Sequence, residues 1–82
     1  MQDWIYQRWE NRDKRRYYEC RLQPNLFGSW EIIRNWGGIG KATGNKVNIP
    51  VSSYQDGLCK LEEIKKTRRR KKYETVKHYG VM

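Results

Sequence analysis

The chain has 82 residues, 37% of them hydrophobic and 13% aromatic, and its 18 lysines and arginines outnumber its 9 acidic residues to give a net charge of +9. This length allows one domain with a small core. Four tryptophans and six tyrosines exclude a disordered tail, because disordered segments are poor in aromatic residues. The charge favours an anionic partner: nucleic acid, an acidic protein or an anionic membrane, with a basic surface of no specific role as the alternative.

Targeting and redox signals are sparse. No apolar run approaches the roughly 20 residues that a membrane span needs, and the first residues lack the basic and apolar segments of a secretory signal. We therefore predict a cytoplasmic protein without a membrane partner. Cys20 and Cys59 are too few for a disulfide scaffold and have no metal-ligand spacing. In a reducing compartment we expect both to be free thiols.

The N-terminal third alternates between apolar and polar residues, which is typical of half-buried strands. A first strand is predicted over residues 4–9, and the charged cluster 10–16 follows as a turn or strand end. A second strand is predicted over residues 17–22. Its period of two places three side chains on one face, namely Tyr18, Cys20 and Leu22.

A third strand is predicted over residues 30–36, after a break at residues 23–28 that contains proline, asparagine and glycine. Even spacing places Trp30, Arg34 and Trp36 on one face of this strand. That face is either hydrophobic core with the arginine reaching out to solvent, or a partly open surface that binds a ligand.

Glycines follow at once. Gly37, Gly38 and Gly40 relax the steric limits on the backbone and predict a sharp bend or a close approach of the backbone to another group. A fourth strand is then predicted over residues 46–51, where valine and isoleucine alternate with polar residues.

The last third contains a helix signal. Ser53 and Asp56 fit a capping box, and an apolar stripe follows at helical spacing, formed by Tyr54, Leu58, Leu61 and Ile64. The cations of residues 68–72 complement the helix C-terminus, residues 73–76 are a candidate closing strand, and loose ends are expected. The predicted fold class is α+β, an antiparallel β-sheet with one long α-helix packed across it.

Residues 16–31 resemble the front half of the WGR domain family, and residues 32–40 resemble its signature segment, in which Arg34 and then Trp36, Gly37 and Ile39-Gly40 come in the family's order. The basic helix end with its tyrosine is also similar, so the resemblance spans roughly residues 16–76. It implies that residues 1–82 are a single WGR-like domain.

The family is best known as a module of poly(ADP-ribose) polymerases, and it also occurs in short stand-alone bacterial proteins. The resemblance implies a non-catalytic module that grips DNA ends, with Trp36 as the ring that packs against the sugar of a broken strand. Gly38 departs from the family, which has arginine at the third position of the Trp-Gly-Arg triplet. In the polymerases that arginine couples the module to neighbouring domains. Its replacement either leaves simple binding intact or means that the anion site has decayed.

A nucleic-acid surface needs cations for phosphates and flat rings for bases or sugars. The predicted binding residues are Arg34, Trp36, Gly37, Gly38, Lys41, Lys46, Arg68, Arg69, Arg70 and Lys71. Core packing is the rival explanation for Trp36, and a solvated helix end is the rival for the run of cations. Such a run adds affinity without sequence preference, because phosphates carry no base information.

Signals for catalysis are weak. The pattern suggests no paired carboxylates, no nucleophile beside a base and no metal-ligand cluster, and His78 lies near the C-terminal end. We predict no enzyme, no cofactor and no small-molecule substrate. The predicted partner is DNA, reached through its backbone and strand ends, or RNA. The alternative is a protein-interaction adaptor with a basic surface that docks on an acidic protein.

Overall fold

The structure, a computed structural model, describes residues 4–42 and 44–79. Its elements in chain order are β1 (Ile5–Asn11), β2 (Arg16–Pro24), β3 (Trp30–Gly38), β4 (Gly44–Val51), α1 (Tyr54–Arg70) and β5 (Glu74–Tyr79). The strands form one antiparallel sheet in the order β4-β3-β2-β1-β5, and α1 packs against one face of it. The predicted α+β class is confirmed.

The strands extend further than the sequence predicted. β1 starts at Ile5 and runs to Asn11, and β2 includes Pro24 as its last residue, opposite Trp30 of β3. The proline lies beyond Leu22, the β2 residue opposite the start of β1, so its missing N–H costs the sheet no more than a terminal bond. The break that was expected over residues 23–28 therefore narrows to the turn that begins after Pro24.

The glycine-rich segment is more regular than expected. Gly37 and Gly38 belong to β3, and the turn falls on the two residues that follow, where Gly40 has a φ of +78°. A close approach between backbone and neighbouring groups occurs instead at Gly44, for which the sequence made no such prediction. A Cβ atom on Gly44 would lie 2.8 Å from the Tyr17 hydroxyl and 2.9 Å from the Trp36 carbonyl oxygen. Only glycine fits between these groups.

The helix starts as predicted. The Ser53 hydroxyl accepts a hydrogen bond from the Asp56 N–H at 3.1 Å. The Asp56 carboxylate accepts a second hydrogen bond, at 3.2 Å, from the Ser52 N–H. In a standard capping box the donor would be the N–H of the N-cap residue itself, which here is Ser53. Gly57 lets the helix approach β2 closely, since a Cβ there would lie 2.5 Å from Leu22 Cδ1.

The core lies between the helix and the sheet. Leu61 is fully buried, and the other members of the predicted stripe pack against the same cluster. The buried hydrophobic residues are Ile5, Trp9, Tyr18, Cys20, Leu22, Ile32, Val51 and Leu61. Cys20 and Cys59 are both free, the first buried and the second exposed, and burial raises the pKa of the Cys20 thiol to about 12.

The C-terminal strand corrects one expectation. The sequence predicted a short strand over 73–76 and a loose end, but β5 runs to Tyr79 and pairs antiparallel with β1. His78 therefore lies in a paired strand opposite Gln7. The final residues 80–82, where loose structure was also expected, lie outside the described residues.

Candidate nucleic-acid interface

An open cleft of about 930 Å³ lies where the C-terminal end of α1 leaves the sheet. We call it the cleft throughout. It brings together residues from β1, β2, β3, their connecting turn and the end of the helix. Its lining residues are Asn11, Lys14, Arg16, Tyr18, Arg34, Trp36, Arg68, Arg70, Lys71, Lys72 and Tyr73.

Two aromatic rings and an arginine form the sheet side of the cleft. Tyr18 of β2 pairs with Trp36 of β3, and their rings stack with centroids 6.0 Å apart and an interplanar angle of 17°. The Arg34 guanidinium lies 5.3 Å from the centre of the Trp36 ring and 5.7 Å from that of Tyr18. Cations at such distances are attracted by the negative faces of aromatic rings.

The end of the helix supplies a second arginine. The Arg68 guanidinium lies 4.1 Å from the centre of the Tyr18 ring and 4.9 Å from that of Tyr73. The Tyr73 N–H donates to the Arg68 carbonyl at 2.9 Å, and Lys72, with a φ of +68°, donates to the Arg69 carbonyl at 3.1 Å. This pair of bonds is the Schellman termination of a helix. It turns the chain back so that Tyr73 lies beside Arg68.

A buried asparagine joins the β1–β2 turn to the helix end. The Asn11 side-chain amide donates to the Lys71 carbonyl at 3.3 Å, and its side-chain oxygen accepts from the Lys14 N–H at 3.1 Å. Asn11 is 5% exposed. Because both bonds are made by one buried side chain, the turn that carries Lys14 and Arg16 is held at the rim of the cleft.

The charge of the cleft is uniformly positive. Lysines and arginines form most of its lining, and no carboxylate lines it within residues 4–42 and 44–79. The Nε atoms of Arg34 and Arg68 are buried and have no hydrogen-bond partner. The ion pairs that Arg8 forms with Glu10, at 3.0 Å, and with Glu19, at 3.2 Å, lie away from the cleft. Because the cations that line this open cleft have no carboxylate beside them among the described residues, the cleft is suited to an anion that accepts hydrogen bonds.

The sequence places this structure in a known family. The family model of the WGR domain matches residues 1–79. The chain belongs to the WGR family. WGR domains are generally nucleic-acid-binding modules rather than catalytic domains. No curated protein and no solved structure matches the chain. The match is longer than the resemblance seen in the motifs, which spans roughly residues 16–76, and it includes all of β1 and β5.

Gly38, which stands where the family's Trp-Gly-Arg triplet has arginine, lines a second groove. This groove, of about 490 Å³, is lined by Gly37, Gly38 and Lys41 and continues the cleft, because Lys14 and Arg16 line both. A Cβ atom on Gly38 would lie 3.0 Å from Lys41 Cγ. The Lys41 side chain thus covers the place where the family's arginine would begin.

The structure gathers most of the predicted WGR site residues. Five of them line the cleft, namely Arg34, Trp36, Arg68, Arg70 and Lys71, and three line the groove, namely Gly37, Gly38 and Lys41. Lys46 is exposed and pairs with Asn35 across β3 and β4, and alternation places both on the sheet face away from the helix. Arg69 is exposed and lines neither.

Some lining residues were missed by sequence reasoning. These are Asn11, Lys14, Arg16, Tyr18, Lys72 and Tyr73. One signal was available for Tyr18, which lies on the inward face of β2 and so had to meet the inward face of β3. The β1–β2 turn residues gave no such signal, because their place depends on a contact between positions 11 and 71.

Other kinds of site have little support in the described part of the chain. No group of three or more histidine, cysteine, aspartate or glutamate residues could hold a metal ion there. None of the helices found over residues 4–42 and 44–79 has the length and apolarity that crossing a bilayer requires.

Proposed function

We propose that this WGR domain binds DNA through the cleft, holding the backbone with its cations and placing Trp36 against the sugar or base at a strand end. The observation that carries the proposal is the pair of arginines, Arg34 and Arg68, whose guanidinium groups lie beside one tyrosine ring in a cleft that no carboxylate of the described residues lines.

A phosphate suits this pair of arginines. Each guanidinium offers several N–H donors in a fixed plane, and arginine binds phosphate oxygens through parallel charge-assisted hydrogen bonds. Both guanidinium groups lie against the Tyr18 ring, which supports them. Such contacts fix the position of the backbone without reading base sequence.

Trp36 favours a strand end over the interior of a duplex. Its ring is half-buried, stacks on Tyr18 and contributes to the wall of the cleft. Inside a duplex the faces of each base are covered by neighbouring bases, whereas an end exposes a base face and a sugar. A ring beside a phosphate site can therefore contact a terminal nucleotide without unstacking any base pair.

The second groove extends the path of the backbone. Lys14 and Arg16 line both concave surfaces, so cations continue from the helix end to the β3–β4 hairpin. Lys41 lies over Gly38 and supplies positive charge where the family's signature arginine is absent. This favours binding that is retained despite the glycine.

The test is a fluorescence anisotropy titration with blunt duplex, nicked duplex and single-stranded DNA over a range of salt concentrations. The logarithm of the affinity should fall linearly with the logarithm of salt concentration, with a slope of about −0.9 per phosphate contacted. Trp36→Ala should weaken binding to ends more than Lys71→Ala does. The control is Lys46→Ala, on the other face of the sheet.

Three results would count against the proposal or change it. Equal affinity of the wild-type protein and Trp36→Ala for blunt ends would remove this ring from the site. An effect of Lys46→Ala as large as that of Lys71→Ala would show that binding depends on net charge alone. Tighter binding to structured RNA than to duplex DNA would change the proposed partner to RNA.

One observation favours a second function, that of a protein-interaction adaptor. Leu26 and Phe27 are 99% and 91% exposed at the tip of a turn held by Asn25, whose side chain accepts hydrogen bonds from the Phe27 and Ser29 N–H groups. Exposed apolar pairs on an ordered turn can contact a partner protein. A pull-down that survives nuclease treatment and is lost in Phe27→Ser would favour this function. The cytoplasmic location stays a prediction.

A further inference from the structure

We infer that the face of the sheet opposite α1 carries a second nucleic-acid site, for unpaired nucleotides, formed by Trp4, Tyr6, Arg21 and Lys77. These residues line a shallow depression of about 510 Å³. We call it the rear site. It shares no residue with the cleft or the groove, and the inference is independent of the function proposed for the cleft.

The alternation of the strands places the rear site on the far face. Ile5, Gln7 and Trp9 of β1 are buried on the side of the helix, so Tyr6 points to the other side. Arg21 pairs with Tyr6 across β1 and β2. The site thus lies behind the sheet and near the first residues of β1, whereas the cleft lies in front and near its last residue.

An exposed tryptophan is the first reason to assign a ligand. Trp4 is 56% exposed, whereas Trp9 is 2% exposed and Trp30 and Trp36 are half-buried against the core. A tryptophan left in water gives up the free energy that its burial would contribute. Beside it the ring of Tyr6 is held in place, because its hydroxyl hydrogen-bonds to the Glu19 carboxylate. Two large rings, one of them fixed, therefore line one depression.

The surrounding charge is the second reason. The Arg21 guanidinium lies 5.5 Å from the centre of the Tyr6 ring, and Lys77 of β5 lines the same depression. No carboxylate is among its lining residues in the part of the chain that the structure describes. The Glu19 carboxylate near it is already bonded to Tyr6 and paired with Arg8 at 3.2 Å. The two cations of the site are thus left to meet an external anion.

Aromatic rings combined with cations are the composition by which proteins hold single strands. Bases stack on the rings and the cations contact the phosphates, with little dependence on sequence. Paired DNA is a poorer ligand for such a surface, because the faces of its bases are already stacked on each other. The rear site should therefore prefer unpaired nucleotides, while the cleft holds a backbone or an end.

Occupation of both sites would let one domain hold two nucleic-acid segments. The positions of Tyr6 and Asn11 on β1 are five residues apart, which is roughly 17 Å along a strand, and the sheet lies between them. A ligand in one site therefore does not block the other.

The experiment measures binding of fluorescent ten-nucleotide oligothymidine to protein that has been saturated with unlabelled blunt duplex. Wild-type protein should bind the oligonucleotide in this ternary complex. The double variant Trp4→Ala and Arg21→Gln should bind it at least about tenfold more weakly while retaining its affinity for duplex. Both altered residues are exposed, so the fold should be unaffected. Lys60→Gln, at an exposed helix position, is the charge-matched control and should behave as wild type.

Two outcomes would overturn the rear site. In the first, duplex displaces the oligonucleotide from wild-type protein, which places both ligands in the cleft. In the second, the double variant binds the oligonucleotide as well as Lys60→Gln does. If duplex does not bind at all, the proposed function of the cleft fails, and direct titration of the oligonucleotide on wild type and double variant still tests the rear site.

Discussion

The helix-facing side of the sheet has two ends, built from the same strands, that differ in what covers them. At one end Leu22 and Ile32 are fully buried beneath Gly57 and Leu61 of the helix. At the other end, Arg34 and Trp36 occupy the next inward positions of β3 but remain half-buried at an open cleft. On β3, Ile32 of the covered end and Trp36 of the open end are four residues apart.

This difference shows that an inward position on a strand does not by itself make a core residue. Alternation decides the face on which a side chain lies, and the chemistry of the side chain decides whether the helix can close over it. The aliphatic end lets the helix approach to the distance that Gly57 allows. At the arginine end the chain turns away after Arg70, because burying two unpaired cations would cost far more than packing returns. We therefore expect stability to depend mainly on the first end and the proposed DNA binding on the second.

The largest expected effect is at the covered end. Leu61→Ala should lower the free energy of unfolding by about 2–5 kcal/mol, because Leu61 is fully buried and its removal leaves a cavity. Urea denaturation followed by tryptophan fluorescence measures this change. The affinity of the remaining folded protein for blunt duplex should stay within about twofold of wild type. A large loss of affinity in folded protein would contradict the separation of the two ends.

At the open end we expect the reverse. Arg34→Ala removes charge-assisted hydrogen bonds worth about 1.5–3 kcal/mol, which corresponds to roughly a 10- to 150-fold loss of duplex affinity. The free energy of unfolding should change by less than about 1 kcal/mol, since the arginine loses only contacts with aromatic rings. Anisotropy and urea denaturation on the same preparation give both values. Destabilisation as large as that of Leu61→Ala would show that Arg34 is a core residue.

The contact between Gly57 and Leu22 tests how closely the helix packs on the covered end of the sheet. Gly57→Ala should destabilise the fold by about 1–3 kcal/mol through overpacking against Leu22, even though alanine favours helix by about 1 kcal/mol. Thermal unfolding measures the effect. In a Leu22→Val background, which makes room, the same change should cost less. An equal cost in both backgrounds would mean that the contact with Leu22 is not the cause.

The smallest expected effect is at Lys72, where one substitution changes both the backbone strain and the charge of the cleft. Lys72→Gly should stabilise the protein by up to about 1 kcal/mol, because Lys72 has a φ of +68° that glycine adopts without strain. The salt slope of duplex binding should also fall by about 0.9, the value for one phosphate contact. Arg15→Gly is a matched control, since Arg15 has a φ of +53° but does not line the cleft. It should stabilise similarly and leave the slope unchanged.

Local patterns in the sequence predicted most of the fold and the position of part of the candidate site. The period of two placed Arg34 and Trp36 on one face, and the helical stripe placed Leu61 in the core, because both depend only on the geometry of one element. The place of Lys46 depends on strand register, which pairs it with Asn35 rather than Trp36. Local pattern does not set that register. The role of Asn11 depends on a bond to the far end of the helix, which no local pattern contains.

The two arginines at the Tyr18 ring affect how firmly the end of the helix is held. Arg34 and Arg68 approach this ring from the sheet and from the helix, and no carboxylate among the described residues that line the cleft offsets the repulsion between their like charges. The final turn of the helix is thus the part of the fold whose attachment depends on the surrounding ions. In dilute buffer it should open before the rest, with fast amide exchange, and a polyanion lying between the two guanidinium groups should fasten it.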